Sequence, residues 1–127
     1  MPLNNTKNII SNDQQDNNMK LVIIFLNQIE YLDDLLAAFL EIGVPGATVL
    51  DSVGMWHVIS YDIPIFAGLR DAFAGSSPTN KTILIVTQED QIDQIDEVLQ
   101  DITGYLDETG IAKMASLPID KLFGFKF

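Results

Sequence analysis

Cysteine is absent from the 127 residues, and histidine, arginine and tryptophan occur once each, as His57, Arg70 and Trp56. Without thiols there are no disulfides, thiolate metal sites or cysteine nucleophiles, which argues against a small secreted scaffold held by bridges. Cations are scarce too: seven Lys and Arg against 18 Asp and Glu give a formal net charge of −11. A surface of that sign repels phosphate backbones and anionic lipid, whose binding depends on clustered Lys and Arg. The expectation is no nucleic acid partner. Long hydrophobic runs are missing as well, since Leu21 to Leu26 falls far short of the roughly 20 residues that span a bilayer. No direct membrane insertion is expected, and the expected location is cytoplasmic.

What remains is a chain with 47% hydrophobic and 20% charged residues, enough apolar material for the core of one small domain. Residues 1–18 contain six Asn and two Gln and lack the basic-then-apolar pattern of a signal peptide, so they read as a flexible Asn/Gln-rich tail. The folded domain is then residues 19–127.

Lys20 to Leu26 is short, apolar and rich in β-branched residues, which predicts a strand. Asn27, with Glu30 three positions on, predicts a capped helix start. Leu32, Leu35, Leu36, Phe39 and Leu40 then recur at helical spacing until Gly43 and Pro45. Ala47 to Val53 and Thr82 to Val86 read as the second and third strands. The long connection between them should hold a helix opening at Pro64, with Ile65, Phe66, Leu69 and Phe73 on one face. Thr87 and Asp90 repeat the cap pattern, Ile92, Ile95, Val98, Leu99 and Ile102 form a second helical stripe, and a fourth strand follows at Lys113 to Leu117. Lys20 to Gly43 and Lys81 to Gly104 each span 23 positions and read strand, cap, helix, glycine, a weak internal duplication. The order matches the α+β, ferredoxin-like βαββαβ arrangement, an antiparallel sheet covered on one face by two helices.

A sheet with one wet face should alternate apolar and polar residues. The first strand does not: Leu21, Ile23 and Phe25 are as apolar as Val22, Ile24 and Leu26. Leaving one such trio wet forgoes roughly 5 to 9 kcal/mol, comparable with the roughly 5 to 15 kcal/mol that stabilises a whole domain. Two helices cover only one side, so assembly through the sheet is expected. The alternative is that the loop helix around Phe66 folds back over it.

Candidate chemistry is sparse. Trp56 could stack on a planar ligand and His57 could hold a metal or move a proton with Asp51 or Asp62, but no partner spacing supports a metal site or a catalytic set. Arg70 sits beside Asp71, which suits an ion pair. The stretch from Glu89 to Glu108 carries eight acids and no Lys or Arg, the pattern of a solvated helix face. Gly104, Gly110 and Lys113 surround a turn whose backbone N–H groups and ammonium could face a phosphate. No nucleophile elbow or P-loop spacing is present, so no enzymatic machinery is visible.

Gly46-Ala-Thr-Val-Leu-Asp-Ser-Val-Gly54-Met, then Asn80-Lys81-Thr-Ile, and finally Leu117-Pro118-Ile-Asp120 resemble the PII signalling superfamily, and Asp62 to Arg70 resembles its PII-like branch outside the nitrogen regulators. The resemblance covers about Met19 to Phe125. It implies a ferredoxin-like protomer, a homotrimer with sheets facing inward, and small-ligand clefts between subunits built from the long loop and the turn before the last strand. Members active in nitrogen regulation hold ATP or ADP through a Gly-x-Gly, a Gly-Asp-Gly-Lys turn and two arginines. Here those places read Gly54-Met55-Trp56, Gly110-Ile111-Ala112-Lys113, and Gly124 with Lys126. A glycine of each pair and much of the cationic clamp are gone, so the ATP/ADP site looks degraded and the cofactor stays open, a nucleotide among the candidates.

The expected function is a non-enzymatic, trimeric regulator that binds a small ligand through Gly54, Met55, Trp56, His57, Gly110 and Lys113. Its long loop would control an unidentified partner protein, a transporter or an enzyme. A cofactor-free ferredoxin-like enzyme using Trp56 and His57, or a ligand-free adaptor trimer, are the alternatives.

Overall fold

A computed structural model describes residues 18–62, 65, 80–104 and 110–126. In chain order these give strand β1 (Met19–Leu26), helix α1 (Leu32–Glu41), strand β2 (Thr48–Ser52), helix α2 (Met55–Asp62), strand β3 (Asn80–Gln88), helix α3 (Ile92–Thr103) and strand β4 (Ala112–Pro118). The sheet runs β2-β3-β1-β4 with every neighbouring pair antiparallel. This is the expected ferredoxin-like α+β arrangement, with α2 added in the connection between β2 and β3.

The core lies on one face of that sheet. Val22, Ile24 and Leu26 of β1 and Ile83 and Ile85 of β3 are buried with Leu35 and Phe39 of α1 and Ile95 and Leu99 of α3. The helical spacing of these residues gives each helix one apolar stripe, and burying the stripes against the sheet drives the fold. Gly104 ends α3 in the left-handed region at φ +61°, its N–H reaching the Gln100 carbonyl at 2.8 Å. A residue without Cβ adopts that conformation at little cost.

Three local expectations are corrected. Neither predicted helix cap forms, because a 3-10 turn precedes each helix, Ile29–Tyr31 before α1 and Glu89–Gln91 before α3, and moves the N-cap positions to Tyr31 and Gln91. Thr87 is buried and donates to the Gln91 side chain, which in turn donates to the Ile42 carbonyl at 3.1 Å and joins the two halves of the domain. Thirdly, the connection after β2 becomes helical before Pro64. Met55 to Asp62 contains no glycine or proline, and the Gly54 carbonyl accepts from the N–H groups of His57 at 3.1 Å and Val58 at 3.2 Å. Trp56 and His57 therefore stand in a helix, not a loop. The predicted helix residues Phe66, Leu69 and Phe73, the Arg70–Asp71 pair and the N-terminal tail up to residue 17 lie outside the described residues.

The register places the remaining apolar side chains in rows on the other face of the sheet. One row is Leu117, Leu21 and Val86, the next Ala115, Ile23, Leu84 and Thr48, and the third Lys113, Phe25, Thr82 and Leu50. Within a single chain Leu21, Ile23, Leu84 and Val86 are half-buried, while Phe25 and Leu117 stay 44% and 41% exposed. Both faces of β1 are apolar, as the composition of the strand requires.

Candidate functional site

The candidate residues fall into two groups. Gly54, Met55, Trp56 and His57 follow β2 and open α2, where Gly54 and Met55 are exposed and His57 is half-buried. Gly110 and Lys113 flank the start of β4, with Lys113 exposed opposite Phe25 on the open face. Asp51 pairs with Lys81, Lys81 with Leu26 and Leu26 with Ala112, so both groups lie at the same end of the sheet. They are on opposite edges of it. With β3 and β1 between β2 and β4, three strand spacings of about 4.8 Å set the edges about 14 Å apart. One chain does not bring the two groups into a single pocket.

A polar ladder crosses the strand ends between them. Ser52 Oγ donates to Asn80 Oδ1 and shares its other hydrogen bond with Thr82 Oγ1 at 2.8 Å. Asn80 Nδ2 reaches Asn27 Oδ1 at 3.4 Å, and Asn27 Nδ2 donates to the Gly110 carbonyl. The backbone N–H of Asn27 also donates to the Ile111 carbonyl at 2.8 Å. Asn27 thus holds two successive carbonyls of the turn that leads into β4. In a trans peptide the C=O and the following N–H point in opposite directions, so the N–H groups of Ile111 and Ala112 are turned away from Asn27. Gly110, at φ +65°, supplies the left-handed step that this orientation needs. Ala112 is 2% exposed and belongs to the core, so its N–H is not open to a ligand, and the cationic group at this end of β4 is the exposed Lys113 on the open face.

Sequence reasoning missed Asn27, Asn80 and Ser52. The visible signal was a polar residue at the end of an apolar strand, and for Asn27 it was assigned to a helix cap. A separate cleft of about 530 Å³ lies at the other end of the open face, between Pro45 to Thr48 and Phe125 with Lys126, floored by Leu21, Leu84 and Val86. Among the described residues no group of three or more His, Asp or Glu is placed to hold a metal ion, and no helix is long and apolar enough to cross a membrane.

No family model and no curated protein sequence matches the chain. Solved structures do. A functionally unknown protein from Pediococcus pentosaceus superposes with a TM-score of 0.59 at 19% identity, over 86% of this chain and 99% of that one. Arabidopsis thaliana PII bound to citrate superposes with a TM-score of 0.56, also at 19% identity, over 80% of this chain and 78% of that one. Likeness at that identity is likeness of fold, and the chain accordingly has a PII-like, ferredoxin-like fold.

Proposed function

We propose that the domain over residues 19–127 is a trimeric, non-enzymatic regulatory protein of the PII-like kind, acting in the cytoplasm. Sheets of three copies face inward, and the β2 edge of one protomer meets the β4 edge of the next. A small anionic ligand binds in each seam, between Gly54, Met55, Trp56 and His57 of one copy and Gly110 and Lys113 of the other. Ligand binding changes the connection after α2, which controls a partner protein such as a transporter or an enzyme.

The observation that carries this reading is the placement of the two candidate groups at one end of the sheet on opposite edges. An apolar face between them favours a neighbour that would bring the edges together. The exposed Lys113 favours an anion, and the similarly folded Arabidopsis protein holds citrate, itself an anion. Fewer cationic contacts than the nitrogen-regulatory members possess imply weaker hold on a triphosphate.

Thermal shift with adenine nucleotides, citrate, bicarbonate and divalent cations tests the reading. A ligand selective for the folded assembly raises apparent stability by mass action, about 2.7 kcal/mol at one hundred times its Kd. At least one anion in this set should raise the melting temperature in a concentration-dependent way. A flat response to all of them overturns the sensor.

A further inference from the structure

We infer that Asn27 and Asn80 form a reversible hydrogen-bond relay, a conformational device that couples the turn before β4 to the base of the long connection after β2. Its regulatory meaning rests on the proposed function, whereas its test uses no ligand.

The relay has a direction, and one fixed group sets it. A backbone carbonyl only accepts, so Asn27 must offer the Gly110 carbonyl its Nδ2 group. That leaves Asn27 Oδ1 towards Asn80, which must present its own Nδ2, at 3.4 Å. Asn80 Oδ1 is then turned to Ser52, whose hydroxyl donates to it. With its one hydrogen used, Ser52 Oγ accepts from Thr82 Oγ1 at 2.8 Å. The bonds run head to tail from the β2–β3 pair to the turn, and each orientation follows from its neighbour's.

A second arrangement satisfies the same side chains. When the Gly110 carbonyl turns away, both amides can rotate by half a turn. Asn27 Nδ2 then donates to Asn80 Oδ1, Asn80 Nδ2 to Ser52, and Ser52 to Thr82, since either hydroxyl of that pair can be the donor. Reversing only one amide sets two oxygens or two NH2 groups against each other and loses a hydrogen bond. The relay therefore has two discrete states, the physical requirement for coupling separated sites.

Each end meets backbone that can respond. Asn27 also holds the Ile111 carbonyl through its backbone N–H at 2.8 Å. At the other end, Ser52 and Asn80 are cross-strand partners that close the connection between β2 and β3. A Cβ placed on Gly54 would stand 3.7 Å from Asn80 Nδ2, so the entry to α2 rests against the amide that reverses. The Gly54 carbonyl in turn holds the N–H groups of His57 and Val58.

Backbone hydrogen exchange of the full chain, read by NMR, tests the coupling from both ends, because coupling is reciprocal. Gly110→Ala strains the turn at φ +65° without a clash, since a Cβ there meets nothing within 4 Å. It should speed exchange of the His57 and Val58 N–H groups at least about fivefold. Gly110→Asn, which tolerates the left-handed region, should keep those rates within about twofold of the unsubstituted protein. From the opposite end, Ser52→Ala should speed exchange of the Asn27 N–H at least about fivefold. The Leu99 N–H in α3 should change by less than about twofold in every variant. Acceleration confined to the substituted end, or shared equally by Leu99, overturns the relay and leaves the sensor standing. Should Gly110→Ala not fold, the Ser52→Ala result decides alone. A flat thermal-shift panel, by contrast, overturns the sensor and leaves the relay standing.

Discussion

Replacing Ile23 by Asp puts the assembly argument at risk with a single charge. Ile23 occupies the centre of the open face, flanked across the sheet by Leu84 and Ala115 and along β1 by Leu21 and Phe25. Full burial of a large apolar side chain contributes about 1.5 to 3 kcal/mol. Leu21, Ile23, Leu84 and Val86 are already half-buried, and Phe25 and Leu117 retain 44% and 41% exposure, so assembly gains only the remainder, on the order of 4 kcal/mol per protomer for the six. Enclosing an unpaired carboxylate at their centre costs at least as much. A penalty of about 4 kcal/mol lowers an association constant roughly a thousandfold. Sedimentation equilibrium from about 1 to 100 μM should therefore show the unsubstituted chain as a trimer and Ile23→Asp as a monomer. Far-UV circular dichroism should match between them, because Ile23 points away from the helices. A monomeric unsubstituted protein at 100 μM, or an Ile23→Asp trimer, refutes the inward-facing sheet.

Two further outcomes test the core and one helix end. Phe39→Ala, at a side chain 2% exposed between α1 and the sheet, should lower stability by about 3 to 5 kcal/mol, read as a drop in the urea midpoint with an unchanged slope. Gly104→Ala forces a Cβ into the left-handed region at φ +61° and should cost about 1 to 2 kcal/mol, again by urea unfolding.

Periodicity carried most of the architecture. The strands lie where β-branched runs occur and the helices where stripes such as Ile95 and Leu99 recur, because burial of those side chains dominates the energy of folding. Capping was misread since it depends on a competition the sequence does not display: Asn27 can satisfy a helix N–H or the Gly110 carbonyl, and only the approach of β4 to β1 offers the second partner. The helix from Met55 to Asp62 was not anticipated, because the start signal considered in this connection was Pro64, whereas the breaker-free run from Met55 closes its first hydrogen bonds on Gly54. As for the site, its residue types were visible at Gly110 and Lys113. The roughly 14 Å between the two groups was not, since it follows from strand order and not from spacing along the chain.

The outer margins of this sheet carry a consequence for solubility. A bare strand border is a template on which other chains can stack into fibrils. Here the two borders bear Asp51 on β2 and Lys113 and Pro118 on β4. Ionic groups and a residue lacking an N–H discourage indefinite stacking, which matters for a sheet whose open face carries apolar side chains such as Phe25 and Leu117. Removing these gatekeepers would leave both borders open to stacking and make the protein prone to precipitate.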